Sequence, residues 1–310
     1  MTGRKKLFST LLLLFDWLGA SLGFAASAQP VTLTAEVTVV NNSDRNIDGY
    51  VHRFSVPVSD HMQQKLVAIR YDYPEGFERK AHRRGDSDYV ELRWNIPART
   101  TSVRRVHFDL ELSSYNYRKV PDSVDPNPAV YYLQPRKYIE SNSSAIQRLA
   151  AQIERTYETD EERLRAAFLL PQQMIEYRVQ PTEGALYAIK HGKGDCTEFA
   201  ALFVALARAM GFPARMTTDF LFTSRTEFRQ PNHHSAEVYL HGKWIPVDPN
   251  LALDPKFGYG FGVGKAKKIV LNRDFSWVWS NLWPKSFRGY SRYTDVNVHW
   301  KIHRDGKDGY

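Results

Sequence analysis

Cysteine is nearly absent: 310 residues contain one, Cys196. An exported fold that relied on disulfides would carry an even set, so this one is not stapled. One thiol and one adjacent His pair are also too few ligands, at the wrong spacing, for a zinc site. Long apolar runs are missing beyond the extreme N-terminus, where a membrane helix would need ~18–20 such residues. Internal repeats, low-complexity tracts and nucleic-acid-binding motifs are missing too. The composition, 43% hydrophobic, 25% charged and 13% aromatic, excludes disorder and collagen and supplies a sizeable core. At roughly 100–200 residues per domain, the length predicts two domains.

The N-terminus reads as a leader. Arg4, Lys5 and Lys6 form a basic head, Leu7 to Phe15 is apolar, and Ala26-Ser27-Ala28 has the form of a cleavage site. Residues 1–28 are therefore expected to be a secretory signal peptide, cut after Ala28, giving a periplasmic or secreted protein. The alternative is an uncleaved anchor, but Asp16 at a bilayer centre would cost ~3 kcal/mol. Cleavage removes three positive charges and one negative, so the net charge falls from +8 to +6. The densest basic run, Arg79 to Arg84, lies between strand-like segments and reads as a solvated loop, with an anionic envelope polymer or lipid as the alternative contact. Nucleic acid is not an expected partner.

From Val31 to Leu112 the hydrophobic period is two. Val31, Leu33, Ala35, Val37 and Val39 alternate with polar residues, as do Val90, Leu92, Trp94 and Ile96, and Val106, Phe108, Leu110 and Leu112. Segments 50–58 and 66–73 are also β-rich, so residues 29–118 are expected to form a β-sandwich. Residues 119–143, with Pro121, Pro126, Pro128 and Pro135, read as a linker. From Ser144 the period becomes helical. Ile146, Leu149 and Ile153 share a face, Thr159 and Glu162 signal a capping box, and Pro171 is expected to end or kink the helix that follows. Residues 144–310 then form a second domain with an aromatic-rich C-terminal extension. Trp277, Trp279, Trp283, Tyr290, Tyr293 and Trp300 read as packing rather than a sugar-stacking platform. The tail from Lys301 reads as frayed.

The chemistry lies in Gly192-Lys193-Gly194-Asp195-Cys196-Thr197-Glu198-Phe199-Ala200. A helix apolar nearly all round runs from Thr197 to Met210 and is stopped by Gly211 and Pro213. Cys196 thus sits at the N-terminus of a buried helix, where unpaired N–H groups and the helix dipole favour thiolate and can hold an oxyanion. Downstream, the strand-like His233 to Leu240, a turn, and a second strand ending at Asp248 can set His233 and Asp248 side by side. The first supplies a base and the second orients it.

Residues 160–252 resemble the catalytic core of the transglutaminase-like superfamily of papain-related thiol enzymes. Gly194, Cys196, Glu198 and Ala200 match one family element. Arg208, Ala209, Gly211, Pro213, Ala214 and Arg215 match the next, followed by His233, Glu237 and Val238, then Trp244, Val247, Asp248 and Pro249. The family's aromatic two residues after the His is Ser235 here, and the spacing to Glu237 selects His233 over His234. The resemblance implies an α+β fold, a papain-like domain with a central helix on an antiparallel sheet behind the β-sandwich. It also implies acyl transfer by a catalytic Cys196, His233 and Asp248 without metal or organic cofactor. The Cys196 N–H would serve the oxyanion, with Gln172, Gln173 and Tyr187 among the candidates for a second donor. Three outcomes follow: a cysteine protease or amidase acting on envelope protein or peptide, a true transglutaminase, or a non-catalytic binding protein on the same fold. The first is preferred because water competes for the thioester unless a site excludes it.

Overall fold

The computed structural model describes residues 28–73, 75–81, 87–120, 130–275 and 278–304. Residues 1–27 of the expected leader lie outside these, as do His82, Arg83 and Arg84 of the basic run, Pro121, Pro126 and Pro128 of the expected linker, Trp277 and residues 305–310. Among the described residues no helix is long and apolar enough to cross a membrane.

Alternating sequence gives alternating burial, and this builds two facing antiparallel sheets. We number strands of four residues or more. The first six are β1 (Gln29–Asn41), β2 (Ile47–Ser55), β3 (Gln64–Tyr71), β4 (Phe77–Ala81), β5 (Asp88–Ile96) and β6 (Thr101–Leu112). In β1, Val31, Leu33, Ala35, Val37 and Val39 are buried, so one face of the strand belongs to the core. β4 was not legible as a strand, since it is the charged Phe-Glu-Arg-Lys-Ala. It takes in Arg79 and Lys80 of the basic run expected to be a loop. Arg79 pairs with Asp88 and Lys80 with Glu91 across the strands, and Lys80 also with Glu78 of its own strand, so acids hold this edge.

Four helices follow: α1 (Ser144–Thr156), α2 (Asp160–Met174), α3 (Ala185–His191) and α4 (Cys196–Ala209). Thr159 and Glu162 form the expected capping box at the start of α2. Pro171 does not end this helix, which continues to Met174 with Ile175 N–H bonded to the Pro171 carbonyl. α4 lies on a four-stranded antiparallel sheet made of β7 (Ala214–Leu221), β8 (His233–Leu240), β9 (Lys243–Val247) and β10 (Lys268–Arg273), in the order β9-β8-β7-β10. Ala214, Met216, Ala236, Val238, Ile245 and Val247 share one core with α4. β8 and β9 form a two-residue hairpin whose turn, His241-Gly242, has positive φ at both positions (51° and 80°), as a type I′ turn requires.

The C-terminal segment departs from expectation. It does not extend the helical unit but returns to the sandwich as β11 (Trp279–Leu282) and β12 (Thr294–Arg304). β12 pairs with β1 from Val31–Arg304 to Asn41–Thr294, and β11 pairs with β2. Residues 301–304, expected to fray, are therefore sheet. The cause is the alternation of Val298, Trp300 and Ile302, all buried, with exposed neighbours. Of the aromatics, Trp300 is fully buried against Phe54 and Phe220, and Trp283 and Tyr290 pack on the same core. Trp279 and Tyr293 remain exposed.

Trp300→Ala is expected to lower the unfolding free energy by about 3–5 kcal/mol, as large-to-small changes in a closed aromatic core do. Denaturant unfolding measures this, and a loss under about 1 kcal/mol would show that β12 does not close the sandwich core.

Candidate active site

The site begins at the start of α4. A helix leaves its first N–H groups without intrahelical partners, and here they are met from the sequence itself. Asp195 accepts from Thr197 N–H at 2.9 Å, and Glu198 reaches back to Asp195 N–H at 3.0 Å, which makes a capping box. Glu198 is fully buried and its other oxygen accepts from the N–H groups of Glu183 and Gly184 at 2.9 and 3.1 Å. One carboxylate thus ties the loop before α3 to the start of α4. Gly194 is the room this needs, because a Cβ there would lie 2.4 Å from Glu198 Cβ. Gly194 and Glu198, singled out by motif, are scaffold for the turn that presents Cys196. The thiol itself is half-buried.

Other motif residues are scaffold too. Arg208 is buried and donates to the carbonyls of Ala214 and Gln134 and to Asp274, holding the far end of α4. Arg215 donates to Glu237 at 2.7 Å and lies 3.8 Å from the Trp244 ring centroid. Arg273 meets the same Glu237 oxygen at 2.8 Å. Burial alone would raise the Glu237 pKa, but the two guanidiniums hold it far below the usual carboxylate range.

The structure brings the three expected site residues together. β7 and β8 pair Asp219 with His233, and β8 and β9 pair Ala236 with Val247, which sets Asp248 diagonally beside His233. His233 Nε2 and Asp248 Oδ2 are 2.9 Å apart, both side chains being buried. Asp248 Oδ1 accepts from Leu251 N–H at 2.9 Å. Burial by itself would lower the His233 pKa. The Asp248 carboxylate, with a further contribution from Cys196, more than reverses this and raises it to about 10. Asp248 is held well below the usual carboxylate range, its burial outweighed by Lys268 and His233. His234, by contrast, bonds to the Thr217 carbonyl through Nδ1, and burial lowers its pKa.

Three residues went unrecognised in the sequence. Lys268 donates to the same Asp248 oxygen at 2.7 Å, and it also faces Asp219 at 3.4 Å. No sequence signal marks either residue, since neither strand shows in its own pattern which charge its partner strand will bring. The third is Tyr177, half exposed and paired with Gly194 by a short parallel bridge. Its hydroxyl pKa is raised by partial burial and then by the charges of Cys196 and Asp195. Among the residues named earlier for a second oxyanion donor, Gln172 donates to the Phe168 carbonyl of its own helix and the Tyr187 ring rests on His191. Among the described residues no group of three or more His, Cys, Asp or Glu is placed to hold a metal ion.

A central helix begun by a cysteine, lying on a sheet that carries the His and Asp, defines a transglutaminase-like unit. Residues 147–249 match the model of the Transglutaminase-like superfamily. The whole fold is similar to that of a candidate cysteine protease from Cytophaga hutchinsonii, at 19% identity and a TM-score of 0.56, with 92% of this chain and 93% of that one covered. At that identity the likeness is one of fold. The periplasmic domain of TgpA from Pseudomonas aeruginosa aligns over 76% of this chain and 93% of its own, with 13% identity and a TM-score of 0.35. Comparison with curated proteins gave no match.

Glu198→Ala would leave three N–H groups without their acceptor. At about 1–3 kcal/mol for each buried unmet donor, stability is expected to fall by about 3 kcal/mol or more. Thermal and denaturant unfolding measure it, and a change under about 1 kcal/mol would remove Glu198 from its place as the tie between the two helix starts.

Proposed function

We propose that this chain is an exported thiol-dependent acyl-transfer enzyme, with Cys196 as nucleophile, His233 as proton carrier and Asp248 as its orienting partner. The observation that carries the reading is the buried His233–Asp248 pair beside a cysteine at a helix start. Asp248 occupies Nε2, which leaves Nδ1 as the ring nitrogen available to the thiol.

The Cys196 thiolate attacks the carbonyl carbon of an amide or peptide bond, and its electron pair becomes the C–S bond while the carbonyl oxygen takes up negative charge. The Cys196 N–H is one donor for that oxygen, and the Tyr177 hydroxyl is the nearby side chain suited to be the second. As the C–N bond breaks, the His233 imidazolium gives its proton to the departing amine. Neutral His233 then takes a proton from water, and the hydroxide so directed releases the acid and restores the thiolate.

Hydrolysis is the preferred outcome over transfer to a second amine, because nothing in the sequence marks a site built to exclude water. The fold shared with the Cytophaga candidate cysteine protease agrees with this choice. Export rests on the tripartite leader in residues 1–28. A protein or peptide of the cell envelope is the corresponding substrate class.

Iodoacetamide alkylation of Cys196 near pH 7 tests the nucleophile. His233→Ala is expected to slow it by about tenfold or more, with a smaller loss in Asp248→Ala. Equal rates in all three proteins, or a thiol that reacts only after denaturation, would sink the enzyme reading in favour of a binding protein. Once a substrate is found, product analysis with and without added amine separates hydrolysis from transfer. Acylation is then expected to fall as pH rises through about 10, where His233 loses the proton it must deliver. Tyr177→Phe should lower kcat by about tenfold or more with little change in alkylation, and an unchanged kcat would exclude it as an oxyanion donor.

A further inference from the structure

Lys268 is 2% exposed and carries its ammonium into the layer behind the proposed site. Its Nζ lies 2.7 Å from Asp248 Oδ2, 2.9 Å from Ser235 Oγ and 3.4 Å from Asp219 Oδ2. Asp248 Oδ2 is the oxygen that His233 Nε2 also meets. Asp219 is fully buried, and Ser235 Oγ donates to its Oδ2 at 2.6 Å. Four charged groups on four strands or strand ends therefore form one closed row: His233, Asp248, Lys268 and Asp219.

A lysine bonded to the orienting carboxylate creates a physical difficulty. The hydrogen bond fixes Asp248, but a buried ammonium a few ångströms beyond it would cancel the negative charge that the imidazolium needs. With Lys268 and Asp248 alone, the neutral imidazole would leave the row uncharged and would be favoured. Asp219 changes that count. It neutralises Lys268, so the row is uncharged only when His233 carries its proton.

We propose that Lys268 and Asp219 are a positioning pair for the reaction: Lys268 fixes the Asp248 oxygen that orients His233, and Asp219 balances Lys268 so that Asp248 remains a full counter-ion for the imidazolium. The proposal rests on the triad reading above and extends it by two residues outside the family motifs. Ser235 belongs to the same device. It donates to Asp219 and accepts from Lys268, and it is bonded to Thr217 across the strand pair. An aromatic at this position, as the family pattern has it, would leave both charges without that hydroxyl. The departure at Ser235 and the presence of the buried ion pair are then one adaptation.

Of the remaining groups that face the row, Cys196 adds to the pull that keeps His233 protonated, and His234 is held neutral by its burial. Burial raises the pKa of the Tyr115 and Tyr259 hydroxyls, so both stay neutral. Tyr259 also sets its ring 4.6 Å from the Lys268 ammonium. Burial lowers His61 to about 4, so it is uncharged at neutral pH. Glu237 is matched by Arg215 and Arg273.

The test is a charge cycle read at His233, using the mature protein, the single variant Asp219→Asn and the double variant Lys268→Met with Asp219→Asn. The His233 imidazole is titrated by NMR in each, beside iodoacetamide alkylation and thermal unfolding. Asp219→Asn leaves Lys268 uncompensated, so the His233 midpoint is expected to drop by about one pH unit or more. The double variant removes both charges together and should bring the midpoint back towards wild type, while alkylation stays slowed because Asp248 has lost its donor. A purely structural pair would lower stability in both variants without moving and then restoring the midpoint. If the single variant yields little folded protein, the NMR titration reads the folded fraction and the comparison stands. A midpoint unchanged in Asp219→Asn, or one not restored in the double variant, overturns the proposal while leaving the triad reading intact. Wild-type alkylation that does not depend on His233 overturns both.

Discussion

Burying α4 on every side is the constraint from which the site follows. Its residues from Thr197 to Arg208 are all buried, so water cannot serve the N–H groups at its start. Asp195 and Glu198 take that place, and Glu198 does so only because Gly194 has no side chain. The backbone at Cys196 is thus fixed by what surrounds it rather than by the thiol, which stays half-buried. At the other end, Arg208 spends its donors on two carbonyls and Asp274. A helix pinned at both ends has no freedom to slide, and the thiol at its first residue inherits that rigidity.

The sheet beneath it carries charge where a sheet usually carries hydrocarbon. Each buried ion would cost several kcal/mol if left unmatched, and these are matched in sets of two cations and two anions. One set is the buried Arg215, Arg273 and Glu237, completed by the exposed Asp60. The other is His233, Lys268, Asp248 and Asp219. The two differ in their cations. Guanidiniums do not titrate, so the first set has one charge state and only holds strands together. An imidazole does titrate, so the second set can gain and lose a proton. That difference is what separates a structural cluster from one able to do acid–base chemistry.

Much of this was legible in the sequence, and where it was not the reason is physical. The period-two runs of β1, β5 and β6 and the capping box of α2 are local signals, and local signals survive folding. Cys196, His233 and Asp248 could be named together because their motif neighbours, Gly194, Glu198, Arg215 and Trp244, are the scaffold that holds them. Lys268 and Asp219 could not, since a buried charge within a strand looks like a surface position until its partner strand is known. The destination of the C-terminus was missed for another reason. Val296, Val298, Trp300 and Ile302 alternate as plainly as β1 does, but which sheet a strand joins is a long-range choice that its own pattern does not encode.

That return of the chain bears on the site. Phe220 follows Asp219 and Ile269 follows Lys268, and both apolar residues belong to the core of the sandwich together with Trp300, Phe54 and Phe108. Alternation along a strand forces the consequence: if Phe220 and Ile269 are seated in that core, Asp219 and Lys268 must point the other way, towards Ser235 and Asp248. The sandwich therefore fixes the two residues that no catalytic motif contains, through neighbours one position along the chain. β12 lies at the centre of this link, since Trp300 touches Phe220 on one side and Phe54 on the other. The N-terminal sheets are not a separate module tethered to the helical unit. They are the wall against which the charged row behind His233 is set.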